Sequence, residues 1–184
     1  MKTIGAASTL TDVAFAVCTA LNECDVTGVL AGGSAATYYA PRAYQSRDLD
    51  FIITLAIPSD RKRAGAAILD LGYRLVNQTY VHTSNPFTVE FPPGPLAIGD
   101  DLIEKWNTVR RRDDILHVIT PTDCVRDRLL WFYLQPTDRS SLQAALGVAK
   151  RQAIDLNAIE TWSKRDGFDD KYREFAAGLG KSHA

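Results

Sequence analysis

The stretch Leu30-Ala31-Gly32-Gly33-Ser34-Ala35-Ala36-Thr37-Tyr38-Tyr39-Ala40-Pro41-Arg42-Ala43-Tyr44-Gln45-Ser46-Arg47-Asp48-Leu49-Asp50-Phe51-Ile52-Ile53 decides the fold. The apolar run Val26–Ala31 ends in two glycines, which suits a strand closing into a tight turn. Ala-rich Ser34–Tyr39 then suits a short helix, and β-branched, aromatic Leu49–Leu55 suits a second strand. Gly32 and Gly33 carry no Cβ, so the backbone there admits a close neighbour. Ser34 opens the helix, where free N–H groups and partial positive charge favour an anion such as phosphate. A plain strand-to-helix turn with Ser34 as its cap accounts equally for these three residues.

Asp48 and Asp50 bracket Leu49. In a strand, residues i and i+2 share one face, about 6.6 Å apart along the chain. Aspartate is a poor strand former, yet two fall on one face beside Phe51-Ile52-Ile53. Two bare carboxylates about 5 Å apart repel by roughly 3 kcal/mol at an effective dielectric near 20. A divalent cation removes that cost, and oxygen-only donors select Mg²⁺ or Mn²⁺ over Zn²⁺. Glu90, in the alternating run Phe87-Thr88-Val89-Glu90-Phe91, joins the pair if its strand lies beside Leu49–Leu55. Three carboxylates around two cations form the arrangement used for phosphoryl and nucleotidyl transfer. Arg47, directly before the pair, is placed to touch a phosphate or to end the strand.

Gly33-Ser34, thirteen intervening residues, and then Asp48-Leu49-Asp50-Phe51 resemble the signature of the nucleotidyltransferase superfamily, the polymerase-β-like fold. The segment is most similar to bacterial members related to the abortive-infection and toxin–antitoxin branch. The resemblance implies an α/β (α+β) fold: a mixed sheet packed with helices, followed by a helical C-terminal region. It implies two Mg²⁺ (or Mn²⁺) ions and an NTP donor such as ATP. Gly32, Gly33, Ser34 and Arg47 would then face the phosphates, and Asp48, Asp50 and Glu90 would be metal ligands and catalytic carboxylates. The acceptor hydroxyl, on RNA, protein or a small molecule, is not fixed by the pattern. Two alternatives are carried: a catalytically degenerate binding or interaction module on the same fold, and a toxin with a cognate antitoxin.

Working outward, the Pro121 turn is the candidate boundary between an α/β core over 1–120 and a helical region over 121–184. The expected flanking elements are helices at Thr9–Cys24, Asp60–Leu71 (capped by Ser59), Thr122–Tyr133 (capped by Thr122), Thr137–Gln152, Asp155–Ser163 and Lys171–Leu179. Strands are expected at Tyr73–His82, Phe87–Phe91 and Ile115–Ile119. Of 184 residues, 46% are hydrophobic and 23% charged, which excludes disorder, collagen and a dominant coiled coil. No apolar run reaches the roughly 20 residues of a membrane span, and Met1-Lys2-Thr3 opens no signal-peptide pattern. Three cysteines without C-x-x-C spacing read as reduced thiols of a cytoplasmic protein. A net charge of −1 lacks the basic excess of a dedicated nucleic-acid binder. Arg110-Arg111-Arg112, before Asp113-Asp114, reads as a solvated hairpin or a contact for nucleotide or RNA phosphate, and Lys150-Arg151 as a helix C-terminus or a reach toward a triphosphate. His117 is expected to pack in its strand, Asp127 to form an ion pair fixing its helix, and Cys124 to have a lowered pKa at a helix start. Trp106, Trp131 and Trp162 are expected to pack in the core or between regions.

Overall fold

In a computed structural model, which describes residues 4–54, 57–135 and 137–180, the chain alternates helices and strands around one mixed sheet. Helix α1 (Leu10–Glu23) starts at Thr9, whose hydroxyl accepts from the Asp12 N–H while Asp12 accepts back from the Thr9 N–H. That reciprocal capping satisfies donors the first helical turn leaves unpaired. Strand β1 (Gly28–Ala31) runs into α2 (Gly32–Tyr39), and β2 (Asp48–Ile53) follows. Helix α3 (Pro58–Asp70) has Ser59 inside its first turn rather than at its cap, because Pro58 already takes the first helical position. Asp60 caps it instead, accepting from the Ile57 N–H at 3.0 Å.

Tyr73–His82 is two strands: β3 (Tyr73–Val76) and β4 (Thr79–His82) form a hairpin. Asn77 and Gln78 turn it with φ of 47° and 70°, a left-handed pair without the glycine that usually marks such a turn. After β5 (Thr88–Glu90) come a small hairpin, β6 (Ala97–Ile98) with β7 (Asp101–Leu102), and a longer one, β8 (Trp106–Arg111) with β9 (Asp114–Ile119). Four helices follow: α4 (Pro121–Leu134), α5 (Arg139–Ala149), α6 (Leu156–Arg165) and α7 (Asp169–Gly180). The α4 cap is Thr120, not Thr122; its hydroxyl accepts from the Asp123 N–H at 3.1 Å. Leu55 and the N-terminal Met1-Lys2-Thr3 lie outside the described residues.

The main sheet has seven strands in the order β3-β4-β5-β2-β1-β9-β8. β2 sits at its centre, antiparallel to β1 and parallel to β5. The alternation of β2 sends Leu49, Phe51 and Ile53 to a fully buried face and Asp48 and Asp50 to the other. Leu49 lies in register with Val89, and Val89 with Tyr80, on that buried face. The Tyr80 hydroxyl lies 2.7 Å from where a Cβ on Gly65 of α3 would stand, and Leu21 of α1 comes within 2.6 Å of such a position on Gly28. α1 and α3 therefore cover the apolar face, with Val13, Val17, Leu21 and Ile68 in the core.

The C-terminal helices extend the same core. α4 packs on α2 and α5 through Cys124, Val125, Leu129 and Phe132. Tyr133 stacks on Trp162 and Phe168 and shares a hydrogen bond with Ser163 at 2.9 Å. Trp162 is thus a core residue and Trp106 is half-buried, but Trp131 is 50% exposed, contrary to the expectation of packing. No helix among the described residues is long and apolar enough to cross a membrane.

Candidate active site

The central strand and the turn before it build the site. Ala31 ends β1 opposite Asp50. Gly32 follows with φ of 64°, the left-handed region that disfavours a side chain. A Cβ there would stand 2.5 Å from Asp50 Oδ2, so the absent side chain is what lets the carboxylate lie against the turn. Ser34 is fully buried and spends its hydroxyl on the scaffold. It donates to the Ala31 carbonyl at 2.7 Å and accepts from the Asp50 N–H at 3.2 Å. α2 begins without a side-chain cap, so its first N–H groups, rather than the Ser34 hydroxyl, are the donors left for an anion.

Asp48 is positioned by the loop between α2 and β2. Thr37 donates to the Gly33 carbonyl at 3.0 Å and accepts from the Ser46 N–H at 2.8 Å. Ser46 in turn donates its hydroxyl to Asp48 Oδ1 at 2.5 Å. Tyr44 and Ser46 lie over Gly33, their oxygens 3.1 and 3.2 Å from where its Cβ would be. Arg47 is exposed, and its carbonyl accepts from the Thr88 N–H, which helps fix β5 beside β2.

Glu90 meets the condition set from the sequence. β5 pairs parallel with β2, and Asp50 and Glu90 are direct partners, so their side chains leave the sheet on one face. Thr79 holds Glu90, donating its hydroxyl to Oε1 at 2.7 Å. Burial pushes the Asp50 carboxyl up to about 6, and the neighbouring charges of Asp48 and Glu90 push in the same direction. The charges of Asp48 and Glu90 thus both act on Asp50. Among the described residues, however, no three Asp, Glu, His or Cys side chains are drawn together tightly enough to enclose an ion.

The charges of two residues outside the sequence-derived set act on Asp50. Arg128 of α4 is only 8% exposed, and its Nε and Nη2 donate to Asp127 Oδ2 at 2.9 and 2.7 Å. Burial opposes the Arg128 charge, but the Asp127 carboxylate more than offsets this and holds its pKa above the ordinary value. The guanidinium pulls the Asp50 pKa down, while Asp127 pushes it up. The expected Asp127 ion pair thus exists, and its partner is a buried cation beside the carboxylates. The signal available in the sequence was an arginine among the apolar positions of α4.

The other candidates resolve differently. Arg111 donates to Asp12 at 2.7 Å and stacks over Phe15 at 4.2 Å, so the arginine triplet is partly consumed by the fold. His117 is half-buried, with Nδ1 2.9 Å from the Thr108 hydroxyl, as packing in a strand requires. Burial pushes the Cys124 thiol pKa up, the reverse of the expected lowering, because the residue faces the core rather than the helix N-terminus. Arg151 donates to the Gly147 carbonyl at the end of α5. A groove of about 610 Å³ between α1 and α3, lined in part by Ala20, Cys24, Arg63 and Leu71, contains none of the residues that build the carboxylate site.

No protein-family model and no curated protein sequence matches the chain. Among solved structures, it is similar to an antigenic nucleotidyltransferase-like protein from Paracoccidioides brasiliensis, with a TM-score of 0.67 and 12% identity over 92% of this chain and 91% of that one. Weaker likenesses are to the antibiotic-resistance factor ANT(2'')-Ia in solution (TM-score 0.49, 14% identity, 89% and 91% of the two chains) and in crystals with adenylyl-2''-tobramycin (TM-score 0.46, 12% identity, 91% and 97%). The first likeness shows that the mixed sheet and its helices have the nucleotidyltransferase-type fold.

Proposed function

We propose that the chain is a metal-dependent nucleotidyltransferase that moves a nucleoside monophosphate from an NTP to a hydroxyl acceptor. The observation that carries this reading is the register of Asp50 against Glu90, beside Asp48 and directly over the Gly32 turn. Three oxygen-donor side chains suit hard cations such as Mg²⁺ or Mn²⁺. Asp48 and Asp50 would hold them, with Glu90 as the third carboxylate; bound ions would neutralise charge developing on the transferred phosphoryl group.

The chain's own groups account for the remaining requirements. The uncapped start of α2 presents backbone N–H groups and positive dipole to the donor's phosphates. Glu90, beside the metal-holding pair, would take the acceptor hydroxyl's proton or serve as a further ligand. The Arg128 charge favours the ionised form of Asp50 against the repulsion of Asp48 and Glu90. The test uses purified protein, each labelled NTP, Mg²⁺, and bulk tRNA, protein or lysate as acceptor. Transfer should occur and be lost in Asp48→Ala/Asp50→Ala; label transfer that survives the double substitution would sink the mechanism.

A second reading is a nucleotide-binding module that keeps the fold without the chemistry. It is favoured by the Thr79 bond to Glu90 and by carboxylates not gathered into a compact group. Mg²⁺-dependent NTP binding without transfer to any acceptor would select it. A toxin with a cognate antitoxin is a narrower form of the first reading. It requires growth arrest on expression that Asp50→Ala relieves.

A further inference from the structure

Helices α1 and α3 cover the apolar face of the sheet, and the groove of about 610 Å³ lies between them. Its floor is made of small side chains. Ala16 and Ala20 of α1 are four residues apart and share one helix face, and Ala66 and Ala67 of α3 lie opposite. Leu71 and half-buried Cys24 complete the apolar lining. The volume falls within the roughly 300–1,000 Å³ of small-ligand sites. Twelve residues line it, well short of the roughly 20–30 a side of a stable protein–protein interface. A small molecule therefore suits the groove better than a partner chain.

The charges around this floor do not balance. Four carboxylates line it, Glu23, Asp70, Asp113 and Asp114, against one cation, Arg63. Arg63 is already engaged: its Nη2 donates to Asp60 Oδ1 at 2.6 Å and to the Asp25 carbonyl at 3.5 Å, both outside the lining. Asp114 faces Arg111 at 3.9 Å. Glu23, Asp70 and Asp113 are exposed and, among the described residues, their side chains meet no cation. Both helices end on one of these acids, with no basic residue in either last turn. A helix C-terminus carries partial negative charge and favours a cation, so each carboxylate adds to that field instead of cancelling it. Three separate elements, α1, α3 and the turn between β8 and β9, thus bring unanswered negative charge to one apolar floor.

We infer that the groove between α1 and α3 is a binding site for a small organic cation, an apolar body carrying an ammonium or guanidinium group. The body lies on the alanines and the cationic head among Glu23, Asp70 and Asp113. The site is separate from the carboxylates of β2 and β5, and it does not depend on the transferase reading.

The test uses three probes that share one apolar body: phenylbutylamine, phenylbutanol and phenylbutanoate. NMR of the alanine methyls reports both affinity and place. The amine is expected to bind about 5- to 50-fold more tightly than the alcohol at low salt, to shift the methyls of Ala16, Ala20, Ala66 and Ala67, and to lose its advantage as salt rises. The carboxylate probe should not bind. Glu23→Gln/Asp70→Asn/Asp113→Asn, at three exposed positions, should make amine and alcohol equal. Asp48→Ala/Asp50→Ala should leave amine binding unchanged. Equal binding of the three probes, a preference that survives the triple substitution, or no methyl shift in the groove would each overturn the inference. Loss of amine binding in Asp48→Ala/Asp50→Ala would also overturn it, because the cation would then sit on the other carboxylates. A dimer in sedimentation that the triple substitution dissolves would assign the groove to a second copy and overturn it too.

Discussion

Replacing Asp50 with asparagine should stabilise the metal-free protein while abolishing nucleotide transfer. Burial and the charges of Asp48 and Glu90 raise the Asp50 pKa from 3.8 to about 6. A carboxyl whose pKa is higher in the folded state binds its proton more tightly there than in the unfolded chain. Stability is then greatest below pH 4, falls as pH rises through the window from about 4 to 6, and stays low above it. A shift of about two units corresponds to an upper bound of about 3 kcal/mol. The amide has the same shape and no charge, so it escapes this cost. The expected gain is about 1–3 kcal/mol at pH 8 in the presence of a chelator, or roughly 3–10 °C in Tm for a chain of this length. The difference should shrink toward zero at pH 4, where the wild-type carboxyl is protonated. Mg²⁺ should raise the wild-type Tm at pH 8 and close the gap, with little effect on the variant. Thermal and urea unfolding at both pH values, with and without Mg²⁺, measure all four quantities. An Asp50→Asn protein no more stable than wild type at pH 8, or equally stabilised at both pH values, would refute the view that burial and neighbouring charges penalise the Asp50 carboxylate.

Gly32→Ala should lower stability by about 1–2 kcal/mol through its left-handed backbone alone; it also displaces Asp50 Oδ2, so Mg²⁺ should no longer raise its Tm. Ser46→Ala removes the hydroxyl that fixes Asp48 and should cost about 1 kcal/mol of stability, with weaker Mg²⁺ binding by calorimetry; unchanged Mg²⁺ affinity would show that Asp48 needs no such support. Arg128→Met leaves Asp127 without its cation and should cost about 3 kcal/mol. The same change should raise the Asp50 pKa above about 6 in a carboxyl NMR titration, because the one favourable charge has gone. An unmoved Asp50 titration would mean that the guanidinium does not act on the site.

Much of the site was legible because its signals are local. Period-two alternation alone puts Asp48 and Asp50 on one face and Leu49 and Phe51 on the other, since that face must be buried. The two glycines mark a turn through backbone sterics that depend on no distant residue. Helix α1 was likewise fixed by Thr9 and Asp12, which cap it from within a single turn. The hairpin at Asn77-Gln78 escaped notice because neither residue is a glycine, and its left-handed pair is tolerated only once β3 and β4 are paired. Strand β8 escaped because its half-exposed residues, Trp106–Arg111, lack an apolar period and are held by the ladder to β9.

What the chain could not state locally was which distant groups meet the Asp pair. Glu90 was a conditional candidate until β5 paired parallel with β2, because a one-residue slip would send its carboxylate to the opposite face. Ser34 read equally as a helix cap until the fold turned its hydroxyl onto the Ala31 carbonyl and the Asp50 N–H. Arg128 belongs to a helix whose own sequence explains only its ion pair with Asp127; packing of α4 on α2 is what brings that cation's charge to bear on Asp50. The sequence by itself determined the turn, the central strand and its two carboxylates, which depend on backbone sterics and side-chain alternation. Tertiary structure decided the third carboxylate, the buried cation and the exposed indole, because these depend on strand register and helix packing, which no local pattern encodes.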